Sequence, residues 1–236
     1  MSKSNPKIQN PCQKFIEFKS DKAQFAYFDK VKEVQVEIPL PIYFIVLDEL
    51  STISGYNKRN DCGIYSNEVH FLDEVLRVKT FKGGESITGL YKDVRDSIVA
   101  LGGKFTKSVY AMLVNDDKST EFVNFKFRGA SFSAWIEKKI NVDNFIIGIV
   151  DTIDQQNGNT TYNVPVFKAF KLSPELNQDS IEMDKILQKY LKEYKAQQPE
   201  KEIAKTEEVY IPDTQEEKPE TFINEAGIEQ PDDLPF

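Results

Sequence analysis

Residues 75–115 read VLRVKTFKGGESITGLYKDVRDSIVALGGKFTKSVYAMLVN, and this stretch decides the fold class. Its first part alternates: Leu76 and Val78 are apolar while Arg77 and Lys79 are charged. That is the pattern of a strand with one face in a core and the other in water. Lys82-Gly83-Gly84 then supplies a turn. After it the period changes. Leu90, Val94, Ile98 and Leu101 recur at helical spacing, so 88–101 reads as a helix with one apolar face. Gly102-Gly103 closes that helix, because glycine accepts the left-handed backbone a helix C-terminus uses. Residues 107–115 return to β-branched and aromatic side chains and read as the next strand.

On the N-terminal side, Val34 to Leu47 is strand-like but holds Pro39 and Pro41. It is either two strands or one strand broken at an edge or bulge. A further strand reads at 63–70, and on the C-terminal side strands read at 121–128, 144–153 and 160–171. Ser131 is placed to cap a short helix carrying Phe132, Trp135, Ile136 and Ile140. Ser173-Pro174 opens a last helix, about 174–196, with Met183, Ile186, Leu187, Tyr190, Leu191 and Tyr194 in one apolar stripe. The expected fold is mainly β (α+β). Its centre is a five-stranded Greek-key barrel of the OB type, elaborated by added strands and helices. With 34–47 counted as one strand, the helix falls between the third and fourth strands, where that fold has it. A β-sandwich or another α+β layout would give a similar string.

Charge divides the 236 residues in two. From Pro199 to Phe236 there are twelve acidic residues against three lysines, a net −9, whereas residues 1–198 hold 27 basic and 26 acidic residues, a net +1. The tail is rich in Pro, Gln and Glu and too poor in apolar residues to offset the entropy of ordering, so 199–236 is expected to be disordered. About 38 flexible residues have a root-mean-square reach of roughly 34 Å. The body, 1–198, is long enough for one domain. Cys12 and Cys62 form no CxxC pair, the start MSKSNPKIQN has no apolar signal core, and no run approaches a membrane span. These features predict a cytoplasmic protein with reduced thiols that does not engage membranes.

The search for catalytic chemistry returns little. His70 is the only histidine, so a multi-histidine metal site is impossible, and beside Glu68 in a strand it reads as structural. Gly103-Lys104 is not the end of a phosphate-binding loop, since Ile98 stands where the first Gly belongs and Phe105 replaces Ser or Thr. Asp73-Glu74, Asp93 with Asp96, Asp116-Asp117, and Asp151 with Asp154 are adjacent carboxylates of the solvated kind, and no spacing singles one set out. No catalytic residue, metal site or cofactor is therefore assigned, and the chain is expected not to be an enzyme.

What remains is aromatic residues interleaved with basic ones. Tyr56, Lys58 and Arg59 lie together; Arg77, Lys79, Phe81 and Lys82 share a strand and its turn; Lys104, Lys107, Lys126 and Arg128 flank later strands. Single-stranded nucleic acid needs this pairing, because bases stack on aromatic faces and Lys or Arg neutralises phosphates. The competing reading is ordinary strand alternation, aromatics inward and lysines outward. It puts Phe125 and Phe127 on the opposite face from Lys126 and Arg128, but puts Phe81 on the same face as Arg77 and Lys79. Trp135, at helical spacing with Phe132, reads as core.

The chain ends in PDDLPF: Asp232, Asp233, Leu234, Pro235 and a terminal Phe236. This ending resembles the C-terminal tip of bacterial and phage single-stranded-DNA-binding proteins, acidic residues followed by apolar-Pro-Phe, with Pro231 where a first acid would stand. Residues 53–113 are more loosely similar to ssDNA-binding proteins of phages and mobile elements. The resemblance implies a protein of a bacterial host cell that coats single strands without sequence specificity during replication, recombination or repair. It also implies that residues 231–236 recruit partner proteins from those processes, Phe236 filling an apolar pocket while Asp232, Asp233 and the terminal carboxylate meet basic residues. Two alternatives stand beside it: a metal-dependent nuclease built from the acidic pairs, and a phage interaction protein whose acidic tail mimics DNA. Homo-oligomerisation stays open.

Overall fold

The computed structural model describes residues 9–81, 84, 86–138 and 140–196. Residues 1–198 form one compact unit. The tail 199–236 with its tip, and Lys82 and Gly83 of the expected turn, lie outside the described residues.

Among the described residues eleven strands and three helices follow in order. They are β1 (Lys14–Lys19), β2 (Gln24–Asp29), β3 (Val34–Ile38), β4 (Ile42–Asn57), β5 (Cys62–Ser66), β6 (Leu76–Thr80), β7 (Ser86–Gly89), α1 (Tyr91–Leu101), β8 (Gly103–Val114), β9 (Thr120–Phe127), α2 (Ala130–Glu137), β10 (Phe145–Asn157), β11 (Thr160–Lys171) and α3 (Pro174–Ala196). The main ladder runs β3-β2-β1-β9-β8-β4-β5-β6-β7. Every neighbouring pair is antiparallel except β1 with β9. The sheet branches at β4, whose first residues pair with β10 through Phe44–Ile147 and whose last pair with β5 through Asn57–Cys62. A register shift between Val46 and Asp48 separates the two halves. Among the described residues the ladder has free ends and does not close into the expected five-stranded barrel.

Most expected elements are present. Val34–Leu47 resolves into two strands, split around a cis Leu40–Pro41 bond. The expected 88–101 helix is shorter than read: α1 begins at Tyr91, and Thr88 and Gly89 instead end β7, opposite Arg77 and Leu76 of β6. Within α1 Ile98 and Leu101 are buried, and Gly102 takes the left-handed conformation (φ 98°) with its N–H donating to the Val99 carbonyl. Ser173 Oγ accepts from the Leu176 N–H at 3.3 Å, capping α3. Two details differ. Ser131 lies inside the first turn of α2, after Gly129, and its hydroxyl bonds back to the Arg128 backbone instead of capping. In the α3 stripe Leu187 and Leu191 are buried, but Ile186 faces solvent because only one narrow strip of the helix meets the sheet.

Three apolar clusters hold the sheet. Ile16, Phe25, Phe44, Phe125 and Phe127 pack beneath α2 against its Trp135, which is fully buried as expected. Ile53, Ile64, Leu76, Val78, Ile98 and Leu101 pack between α1 and the β4–β5–β6 strands. On the other face, Leu50, Tyr110 and Cys12 lie under Leu187 and Leu191 of α3. Both cysteines are buried and unpaired. Burial lifts the Cys12 thiol to about 12, with the Glu68 carboxylate adding to the effect. α1 thus covers one face of β4–β5–β6, and the opposite face of those strands is where the candidate site lies.

Candidate nucleic-acid interface

On β6, Leu76, Val78 and Thr80 are buried while Lys79 is exposed and Arg77 half-buried, and Phe81, the next residue, is exposed, the alternation the sequence carries. Phe81 is 75% exposed. Its backbone N–H donates to the Gly63 carbonyl at 3.0 Å. Across β5, Tyr56 is the register partner of the same Gly63, so Tyr56, Gly63 and Phe81 form one row across three strands. Gly63 has a reason to be glycine: a Cβ there would sit 3.1 Å from Phe81 Cδ2. Without it the ring lies over β5, its centroid 5.0 Å from that of Tyr65. Tyr65 is directly opposite Lys79 and is itself 43% exposed; Tyr56 is 51% exposed. Three aromatic rings with Arg77 and Lys79 therefore share one outward face. Tyr65 is a member the sequence reading missed, although the burial of Cys62 and Ile64 before it is the same alternation that exposes it.

Beside this face is a cleft of about 710 Å³ between the end of β4, the 57–61 turn and the C-terminus of α1. Tyr56, Lys58, Arg59, Lys104 and Arg128, five of the expected contacts, line it. Three glycines make the geometry. A Cβ on Gly55 would fall 2.3 Å from the Gly102 carbonyl oxygen, and one on Gly102 would fall 2.5 Å from that of Tyr56. A Cβ on Gly103 would meet Ile98 Cγ2 at 2.7 Å, so α1 can end against the tip of β4 only with glycine at these positions. The turn is held by Asn57, whose Oδ1 accepts from the N–H groups of Arg59 (2.9 Å) and Asn60 (3.3 Å). Tyr56 donates its hydroxyl to Asp61, which holds its phenol above the ordinary value.

The remaining expected contacts are elsewhere. Lys107 lies on the opposite face of β8 from Lys104, where it pairs with Glu49 at 3.4 Å. Lys126 shares the outward face but is spent on Glu68: Nζ to Oε1 is 2.6 Å and the two side chains are 16% and 12% exposed. Ser108 Oγ and the Tyr110 hydroxyl donate to the same carboxylate, each at 2.6 Å. Burial pushes Glu68 up, but the Lys126 charge and these hydrogen bonds outweigh it and hold the carboxyl below its ordinary value. Burial, reinforced by Glu68, drives the Tyr110 phenol far upward, so it stays a donor. Lys126 is thus a core ion-pair member, and α3 and the 67–75 segment lie over that part of the sheet. Lys82 lies outside the described residues, as do Asp232, Asp233, Leu234, Pro235 and Phe236.

Of the acidic pairs, Glu74 accepts the His70 and Phe71 N–H groups and pairs with Lys195 at 3.2 Å, while Asp117 closes its own turn on Ser119. His70 Nε2 is 3.0 Å from Asp48 Oδ2, a link between β4 and the 67–75 segment. No group of three or more His, Cys, Asp or Glu arranged to hold a metal ion occurs among the described residues. No helix of the described residues is long and apolar enough to cross a membrane. No protein-family model matches the chain, and no curated protein or solved structure is significantly similar to it.

Proposed function

We propose that this protein binds single-stranded DNA without sequence specificity, coating exposed strands in replication, recombination or repair. The observation that carries the reading is the outward row of Tyr56, Gly63 and Phe81 with Tyr65 beside it, next to a cleft lined by Lys58, Arg59, Lys104 and Arg128. Aromatic faces that accept any base, with cations for the phosphates, suit an unpaired strand and not a duplex, whose bases are already stacked. The core unit β4-β5-β6-α1-β8-β9 is consistent with a partly open OB-type arrangement: a meander, then a helix, then a hairpin whose first strand returns to β4. β1–β3 and β10–β11 are then additions, and β1 takes the free edge of β9. In this reading no catalysis is involved, and the working site is the cytoplasm of a bacterial host.

The test is a titration of oligo-dT and of duplex DNA of equal length over a salt series. Preference for oligo-dT, with affinity falling steeply as salt rises, supports the proposal. Equal affinity for the two, or no salt dependence, removes it.

The tail has two proposed roles. Residues 231–236 bind partner proteins of replication, recombination or repair, with Phe236 as the apolar anchor and Asp232 and Asp233 as its acidic collar. The net −9 of the tail competes with DNA phosphates for the body's cations, at an effective concentration of order millimolar because it is tethered. Deleting 199–236 is expected to tighten oligo-dT binding most at low salt, the gain shrinking as the Debye length falls to ~8 Å. Removing only Leu234–Phe236 leaves the charge unchanged; it is expected to leave DNA affinity intact and abolish partner pull-down. A full-length to truncated affinity ratio of one at every salt concentration removes the competition.

A further inference from the structure

The cleft beside the aromatic row has a chemistry of its own. Lys58 and Arg59 are exposed on its turn and Lys104 on the first residues of β8, and among the described residues none of the three makes an ion pair. Arg128 enters from the end of β9, its guanidinium shared between Ser54 Oγ (3.4 Å) and Glu17 (2.8 Å). Among the described residues no carboxylate lines the cleft itself; the nearest are Asp61, which accepts from Tyr56, and Glu17, which pairs with Arg128. Like charges gathered round a concavity repel one another, and an anion seated there relieves that repulsion; the body's overall balance is only +1, so the clustering is local. A second observation points the same way. Asn57, on the cleft wall, is 2% exposed; its Oδ1 is taken by the turn, and among the described residues its Nδ2 has no hydrogen-bond partner. Buried donors are left unmatched only rarely, and at a cost of about 1–3 kcal/mol.

We infer that the cleft is a discrete subsite for one phosphate group of the bound strand, distinct in chemistry from the stacking row. The inference rests on the single-strand reading and deepens it. A phosphate diester within a strand and the phosphate of a free nucleotide present the same oxygens to Arg59, Lys104 and Arg128. Tyr56, which belongs both to the row and to the cleft lining, puts the adjoining base on the ring side and the phosphate on the cation side. The subsite thereby fixes where along the strand the stacking register begins. It gives no reading of base identity, since a phosphate carries none.

The experiment uses the full-length protein with dTMP and thymidine as small probes, and oligo-dT as the strand. Amide NMR shifts follow the probes in wild type and in an Arg59→Gln/Lys104→Gln variant; both side chains are exposed, so the fold should survive the exchange. The expected result is that dTMP moves the amides of 58–59 and 100–104 and thymidine, whose base can reach only the Tyr56 ring, does not, and that the variant weakens dTMP by about tenfold or more. The same variant should lower the salt slope of oligo-dT binding by about 1.4, two cations at ~0.7 each. If dTMP leaves those amides unmoved, or if the slope is unchanged in the variant, the subsite is wrong even where oligo-dT still binds wild type. If wild type fails to bind oligo-dT at all, the single-strand reading fails instead, and the dTMP shifts alone decide whether the cleft holds phosphate.

Discussion

Lys126→Met is expected to destabilise the fold by about 3–5 kcal/mol, because it strands the Glu68 carboxylate in the sheet face under α3. For a domain of this size that is a fall in melting temperature of about 10 °C. The pH dependence distinguishes this cause from lost packing. In wild type Glu68 titrates below its ordinary value of 4.5, so its contribution is complete above that pH and is lost as the pH falls through the lower, folded value. Without Lys126 the burial effect, already the largest single influence on Glu68, is opposed only by Ser108 and Tyr110. The folded carboxyl then takes up a proton more readily than the unfolded one, and the deficit is largest at neutral pH and shrinks towards acid. Glu68→Gln/Lys126→Met keeps the shape and removes both charges, and should recover to within about 1 kcal/mol of wild type. Urea denaturation of the three proteins between pH 5 and 8 checks this. A double variant as unstable as the single one would mean that Lys126 supports the fold by packing and not by charge.

The other large effect concerns binding. Tyr56, Tyr65 and Phe81 are well exposed, so changing each to Ala should alter stability by no more than about 0.5 kcal/mol. Each stacked ring is worth ~1–3 kcal/mol to a bound base, so each single change should weaken oligo-dT roughly 5- to 150-fold. The triple variant should lose at least about a hundredfold, and it should do so with the salt slope nearly unchanged, since no phosphate contact is removed. That separates the row from the cleft, where the slope itself falls. Val99→Ala, an equally exposed apolar side chain on α1, is the control and should change nothing. Undiminished affinity in the triple variant, measured by fluorescence anisotropy, would move the strand to another surface.

Local pattern carried much of this arrangement. The alternation in 76–81 placed Phe81 with Arg77 and Lys79 on one face, and the 3.6-residue period with Gly102 placed α1, because both depend only on near neighbours. The same rule put Phe125 and Phe127 in the core. It could not say that Lys126, on the opposite face, would meet Glu68, a residue 58 positions away, so a core ion pair read as a DNA contact. The strands β1 and β2 went unread although Ile16, Phe18 and Phe25 are buried in them. Their place is set by parallel pairing of β1 with β9, more than a hundred residues on, and that pairing is also why β9 has no open edge for a barrel to close on. The cleft was legible only as scattered lysines and arginines. What gathers them is the approach of Gly55 to Gly102, a contact between backbones that no side-chain pattern announces.

The most direct measurement of the central claim is photocrosslinking of an oligo-dT carrying 5-iododeoxyuridine, with the adducts located by mass spectrometry of the digested full-length protein. An iodinated base crosslinks to the aromatic ring it stacks on, so adducts are expected at Tyr56, Tyr65 and Phe81, lost in competition with unlabelled oligo-dT and retained against duplex. Adducts confined to other elements, such as the β10–β11 hairpin or α3, or equal loss with duplex competitor, would contradict it.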